Sequence, residues 1–398
     1  MPPSRLLWPL LVASLALNVM YGAIAGVLVP AQVAVADPEG KELTLALIMT
    51  ASSLVTFAVH PLAGALSDRT RSRWGRRSPW IVGGALASAV AMLLLGQAEA
   101  VWAIALGWLI LQPFLNTVEA PLDAIVADRV DQPSRPRAAA VYGGGAAIGI
   151  AIGAGVAGQG ASSSGTVYVV LAVVLVVVMV GFTLAAPDRS PPEAAPPSTP
   201  AREAWKSRDL RLVFAARFLM ILGHQLVMGY LLYIVMAFTD ASVADAGSTV
   251  SLLIGTHIAC IVVGAVAGSK LVGDARRPWI IGATAVLAVA LLLPIAFPDL
   301  TGLLLFAVIG GVGRGVYLSA DLALMIDVLP SNADHGRDLG VLGLATIVPQ
   351  MLAPAIAGVL LTLSGGVYPL LFAVAVSLVL LSVPFIARVG ATVSSIRP

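Results

Sequence analysis

Gln112, Asn116, Glu119 and Asp123 follow one another at i, i+4, i+7 and i+11, a spacing that sets all four on one face of a helix. The residues around them, VWAIALGWLILQPFLNTVEAPLDAIVADR, are mostly apolar. Two carboxyls one turn apart in such surroundings resist ionising together. A carboxyl that passes readily between acid and base can take up and release a proton. Matching stripes occur elsewhere: Arg314, Tyr317 and Asp321 at i, i+3, i+7; Ser14, Asn18 and Tyr21 at i, i+4, i+7; and Arg217 with His224 and Gln225. The reading is a proton-exchanging pair, Glu119 and Asp123, with Arg314 and Asp321 as an opposing charge pair. Asn18, Tyr21, Gln112, Asn116, His224, Gln225, Tyr317 and Gln350 are polar groups able to hydrogen-bond a solute. Plainer readings stand beside it. Asp123 or Asp321 could simply neutralise Arg314, the amides and phenols could pack between helices, and Arg217 could snorkel to an interface.

These stripes need elements to carry them. The chain has 398 residues, 59% of them hydrophobic and 11% charged, with a mean hydropathy of +0.95; soluble domains are roughly 45–50% apolar. Crossing a bilayer takes about 20 apolar residues of helix. Twelve stretches qualify: 6–29, 43–66, 79–97, 101–127, 137–160, 166–186, 211–238, 246–271, 278–297, 300–328, 338–363 and 367–387. Ala34 to Asp37 reads like a small-residue cleavage site, but the apolar stretch before it is longer than a signal-peptide core, so an uncleaved first span is expected. The fold class expected is an all-α polytopic membrane protein. In that setting an ionisable side chain costs at least about 2.5–3.5 kcal/mol, so the stripes mark a pathway.

Other chemistries find little support. A net charge of +2 gives no reason to expect nucleic acid. One cysteine, Cys260, excludes an internal disulfide or a CxxC metal site. His257 and Cys260 at i, i+3 supply two metal ligands and no third, so no metal is expected. GGVGRG at 310–315 sits inside an apolar stretch without a preceding strand, and no nucleotide loop or nucleophile elbow is present. The expectation is not an enzyme, and a chain without cofactors beyond a proton or sodium gradient.

Charge orients the spans. If the loop after the second span and every second loop from it face the cytoplasm, they hold twenty of the 23 Lys and Arg; the rest are Lys41, Arg217 and Arg314. Such an excess predicts both termini inside. The chain also repeats: RRSPWIVGGA at 76–85 returns as RRPWIIGATA at 276–285, and AIVADRV at 124–130 loosely as LMIDVLP at 324–330. Offsets near half the chain predict two parallel six-helix bundles, 1–186 and 211–398, joined by a Pro-rich polar linker, 187–210.

Residues 64–80, GALSDRTRSRWGRRSPW, crowd five arginines beside Asp68. Arginines next to a span anchor it to the anionic inner leaflet. The pattern G-x-L-S-D-R…G-R-R (Gly64, Leu66, Ser67, Asp68, Arg69, Gly75, Arg76 and Arg77) resembles the major facilitator superfamily. Its long spacer, with Asn116 and Pro121, Ala127-Asp128, GVYLSADLALMIDVLP, DLG and PQ-x-x-AP further on, is similar to the plant sucrose transporters and to the glycoside–pentoside–hexuronide cation symporters. The resemblance implies two pseudo-symmetric bundles rocking about a midplane site lined by the first, fourth, seventh and tenth spans. It also implies a cytoplasmic gate in which Asp68 and the arginines latch the bundles, with Asp128 or Arg129 as mate and Gly64 giving close packing. Function would be secondary active transport of a small polar solute, a sugar or glycoside, by proton-coupled symport and alternating access. The protein would be a monomer in the cytoplasmic membrane.

Two departures keep alternatives open. The coupling aspartate of the sucrose transporters falls on Gln112, which cannot carry a proton, and the arginine before their A-L-L-A-D ending becomes Asp123, so facilitated diffusion stays possible. The glycine-dense fifth span (Gly145, Gly149 and Gly153) permits close helix contact, but Ala154 stands where exporters of the superfamily carry proline. An efflux pump for amphipathic compounds remains the alternative, and a non-transporting relative a third reading.

Overall fold

The computed structural model describes residues 3–131, 134–160, 164–188, 205, 207–273, 276–328 and 335–390. No strand occurs among them. With no water to satisfy backbone groups, only helices or closed barrels can cross hydrocarbon. Twelve helices are long and apolar enough to do so: α1 Leu6–Ala36, α2 Lys41–Arg69, α3 Ser78–Leu95, α4 Val101–Val126, α5 Arg137–Gln159, α6 Gly165–Ala185, α7 Arg208–Met228, α8 Val243–Leu271, α9 Arg276–Ala296, α10 Leu300–Met325, α11 Leu342–Leu363 and α12 Tyr368–Ala387. Each expected span has its helix. The fold is an all-α polytopic membrane fold of twelve membrane helices.

The boundaries moved in places. α1 runs past residue 29 and through Ala34, without a break at the suspected cleavage site. The seventh span, expected to be one helix, is two: α7 ends at Met228, and Leu231–Thr239 resumes after Gly229 and Tyr230. Glycine weakens a helix interior, and the Tyr230 hydroxyl donates to the Pro354 carbonyl at 3.1 Å. Two π-helical segments, Tyr21–Leu28 in α1 and Phe306–Gly310 in α10, interrupt the α-helical register. Such segments gather at functional sites.

By Cα proximity the chain divides into two compact units, Met1–Ala194 with Ala241–Gly255, and Ala195–Asp240 with Thr256–Pro398. Inside the first, α1 packs on α5 and α6, and α3 on α4 and α6. Inside the second, α7 packs on α11 and α12, and α9 on α10 and α12. Adding six to each helix number turns the first set into the second. The half-chain repeat of the sequence is thus a repeat of packing. Most of the expected linker, from 189 to 204, lies outside the described residues, as do the side chains of the DLG motif.

The α1–α5 contact depends on glycine. A Cβ on Gly149 would lie 2.4 Å from the Leu15 carbonyl oxygen, and one on Gly153 would lie 2.2 Å from that of Val19. The expected small-residue seam is therefore present, and it holds the two backbones in contact.

Candidate functional site

In the first unit the α4 stripe meets three neighbouring helices. Asn116 is buried; its Nδ2 donates to the Gln112 carbonyl (2.8 Å) and to Thr56 Oγ1 on α2 (3.3 Å). Its Oδ1 is therefore the acceptor facing His60 Nδ1 at 3.1 Å. That makes Nδ1 the protonated nitrogen and leaves Nε2 pointing at Asp123, 3.6 Å from Oδ2. Tyr142 on α5 stands close enough to Asp123 to interact with it. One turn away, Tyr21 donates to Glu119 Oε2 at 2.7 Å, and Tyr21 is the residue at which α1 enters its π segment. Pro113 and Pro121 fall within the length of the stripe on α4, each removing a backbone donor from the helix.

His60 and Asp123 are open, with side chains 37% and 46% exposed. Charged groups of this kind do not face lipid, so the opening is a water-accessible one. Two carboxyls one turn apart, each beside a phenol and one of them facing an imidazole, are groups that can accept and hold a proton. Gln112 Oε1 is buried with no partner among the described residues, an acceptor waiting for a donor. Asn18 Nδ2 donates one hydrogen to the Ser14 carbonyl of its own helix at 2.9 Å, which leaves its second N–H and its Oδ1 for other partners. Gln350 is exposed on α11.

In the second unit the expected Arg314–Asp321 pair does not form. Asp321, 1% exposed, is held by Arg217 Nη1, and Arg217 Nε donates to Thr346 Oγ1 at 3.0 Å. The reason is geometric. Seven residues rise about 10 Å along a helix, and because both side chains lean the same way the lean does not close that separation. Arg217 approaches from neighbouring α7 instead and does not snorkel. Tyr317 adds a hydrogen bond to Asp321 Oδ1 at 3.3 Å. Arg314 lies against Met220 Sδ (2.7 Å) and over the Tyr317 ring (5.9 Å to its centre).

Beside Arg314, His224 and His257 are buried with their Nε2 atoms 3.2 Å apart. The Ala307 carbonyl, in the π segment of α10, takes the Nδ1 hydrogen of His257 at 3.1 Å. Neutral His257 Nε2 is then an acceptor, and His224 Nε2 the donor. His224 Nδ1 in turn faces the Gln225 side-chain amide at 3.3 Å. Among the described residues no cluster of three metal-ligating side chains exists.

The arginine loop is a third cluster. Arg76 and Arg77 both pair with Asp128 at the end of α4, and Arg77 also pairs with Asp68 at 2.9 Å. Of the two mates offered by sequence, Asp128 is the one these arginines meet, and the pairs lie within the first unit. Arg77 is 4% exposed and Arg69 fully at the surface. Asp188, assigned from sequence to the linker, accepts the backbone N–H groups of Arg76 (2.8 Å) and Arg77 (2.9 Å). Close packing falls on Gly75 rather than Gly64. Gly75 has φ +92° and a Cβ there would lie 2.4 Å from Asp188 Cβ, whereas nothing lies within 4 Å of one at Gly64. Gly64 instead supplies a carbonyl to Ser67 Oγ.

The sequence pattern of the Major Facilitator Superfamily matches residues 10–244 and 213–395. The chain belongs to that superfamily. It is a multi-pass membrane transporter, as the loop motif and the repeated six-helix packing suggested. Among curated proteins it is 33% identical over 93 residues to a sucrose transport protein of Arabidopsis thaliana, covering 19% of this chain and 18% of that one. It is 44% identical over 48 residues to the lactose permease of Lactobacillus delbrueckii subsp. bulgaricus, covering 12% and 8%. The matches thus span less than a fifth of either relative. A crystal structure of a bacterial homologue of the human lysosomal transporter Spinster superposes with TM-score 0.66 at 15% identity, covering 98% of this chain and 95% of that one. At that identity the likeness concerns the fold.

Sequence reasoning left out His60, Tyr142 and Asp188, and read Arg217 as a group that could snorkel and His257 as half of an incomplete metal pair. For His60 a signal existed, the polar stripe Ser53, Thr56 and His60 on α2. For the others nothing local marks which distant side chain they meet.

Proposed function

We propose that this transporter carries a small sugar or glycoside together with a proton across the cytoplasmic membrane, by alternating access, with both termini inside. The observation that carries the proton part is the Glu119–Asp123 pair, each carboxyl with its own phenol and one of them facing His60. Glu119 and Asp123 would take the coupling role that Gln112 cannot. The sugar part rests on the partial similarity to a sucrose transport protein and a lactose permease, and on the unpartnered side-chain oxygen Oε1 of Gln112.

The test is uptake of labelled sugars into proteoliposomes under an imposed pH gradient. Uptake that follows the gradient, and stops doing so in Glu119→Ala/Asp123→Ala, supports the reading. Gradient-driven uptake that survives in the double variant sinks the coupling assignment.

A further inference from the structure

We infer that a groove between α1 and α6 holds an acyl chain of a membrane phospholipid, with the lipid's phosphate turned toward the arginine loop. The site is separate from the solute pathway and holds whichever solute is carried.

α1 sits unevenly between its two neighbours. On one side it presses on α5, where a Cβ on Gly145 would lie 2.8 Å from the Leu11 carbonyl oxygen. On the other side, at the same level of α1, it stands off α6. A Cβ on Gly181 would meet no described atom within 4 Å. The gap is a cavity of about 320 Å³, lined by Trp8, Pro9 and Val12 of α1 and by Gly181, Phe182 and Ala185 of α6 among others. Phe182 is buried and forms the floor; Trp8, 72% exposed, forms the rim.

Both helices are membrane spans, and the side chains around the gap are hydrocarbon apart from the Trp8 indole nitrogen. Helices in lipid associate through close packing. An empty gap between two of them forfeits dispersion contacts on both walls. Water cannot restore those contacts, because it needs two or more polar partners and the lining offers one. The medium outside is acyl chain, and a chain that enters the gap recovers the lost contacts. The rim suits the same occupant. An indole settles at headgroup depth, its ring against hydrocarbon and its N–H toward water.

The headgroup follows from what adjoins the groove. Beyond Ala185, α6 ends at the arginine loop: Arg129 donates to the Ala186 and Pro187 carbonyls at 2.9 and 3.2 Å, and Asp188 accepts the backbone N–H groups of Arg76 and Arg77. The same loop carries the exposed Arg69, Arg71 and Arg73. A phosphate at this end of the groove lies in the field of these cations, which attracts it.

The test has two readouts on the purified full-length chain. Native mass spectrometry after a detergent wash reports retained lipid. Tm of lipid-depleted protein is then read with dioleoyl phosphatidylglycerol and with dioleoylglycerol, which has the same chains and no phosphate; a ligand of the folded state raises Tm by mass action. The inference expects retained phospholipid, a Tm rise with phosphatidylglycerol and a smaller one with dioleoylglycerol. Gly181→Leu, which fills the groove from a position with room for it, should lose the retained lipid and weaken the phosphatidylglycerol response at least roughly 10-fold in apparent affinity. Trp8→Ala should weaken it less. Val173→Leu, on the exposed face of α6 outside the groove, should leave both readouts unchanged, and it guards against a general effect of added bulk. Retention and Tm response that survive Gly181→Leu mean lipid coating the surface without a site, and overturn the inference. Equal responses to the two lipids overturn it as well. So does a dimer without bound lipid that Gly181→Leu dissociates, since a second copy would then cover the groove.

Discussion

His60 and Asp123, 63 positions apart on α2 and α4, face each other across 3.6 Å with the imidazole's other nitrogen anchored on Asn116. The anchor decides the chemistry. With Nδ1 donating to the Asn116 oxygen, only Nε2 is left to share a proton with the carboxyl. Asn116 thereby sets the tautomer of His60 and the nitrogen it turns toward Asp123.

Uncoupling should therefore be separable from transport. Glu119→Gln with Asp123→Asn is expected to abolish accumulation driven by a pH gradient while exchange of labelled for unlabelled solute at equal concentrations continues. Asn116→Leu should mimic part of the defect through His60, whose tautomer would no longer be held. Counterflow and gradient-driven uptake measured on the same vesicles check both. Loss of exchange together with accumulation would assign the cluster to substrate binding instead.

Breaking the Arg217–Asp321 pair is expected to be costly. Asp321→Ala or Arg217→Ala leaves an uncompensated charge in a membrane helix, a loss of about 3–5 kcal/mol. Replacing both with neutral residues, Arg217→Gln and Asp321→Asn, should recover much of that. A double-mutant comparison of Tm in detergent decides it; additive losses would mean the two side chains do not depend on each other.

For the arginine loop, Gly75→Ala is expected to destabilise by about 1–3 kcal/mol, because φ +92° disfavours any Cβ and Asp188 fills the space. Asp188→Ala exposes the same dependence from the other side, leaving two backbone donors without their acceptor at about 1–3 kcal/mol each. Asp188→Asn, which keeps a side-chain oxygen, should cost less than Ala. Gly64→Ala, by contrast, should change Tm little, since nothing lies where its Cβ would go.

Widening the α1–α5 seam should be felt at both carboxyls. Gly149→Val drives a branched side chain into the Leu15 carbonyl, an overpacking worth about 1–3 kcal/mol. The pH profile of uptake should shift along with Tm. A changed Tm with an unaltered profile would show that the seam serves stability alone.

Much of the architecture was legible because membrane helices advertise themselves by length and composition. What stayed hidden depends on interruption or on neighbours. The π segments at Tyr21 and Phe306 sit in sequence no less apolar than the rest, and the break at Gly229 was one glycine among 39. The α4 stripe was visible because its residues share one helix. Its partners were not, because periodicity gives the face a residue occupies and not what lies opposite. Arg314 and Asp321 share a helix face by spacing, but they stand about 10 Å apart along the axis, and the cation that reaches Asp321, Arg217, comes from another helix. Asp188 looked like linker because it follows a proline at the end of a span.

The glycine seam has one more consequence. α1 carries Tyr21 to Glu119 and α5 carries Tyr142 to Asp123, while Gly149 and Gly153 leave no slack between the two backbones. The two phenols are therefore prongs of a single fork. A tilt of α1 that draws one prong from its carboxyl is expected to carry α5 with it and to release the second carboxyl in the same movement.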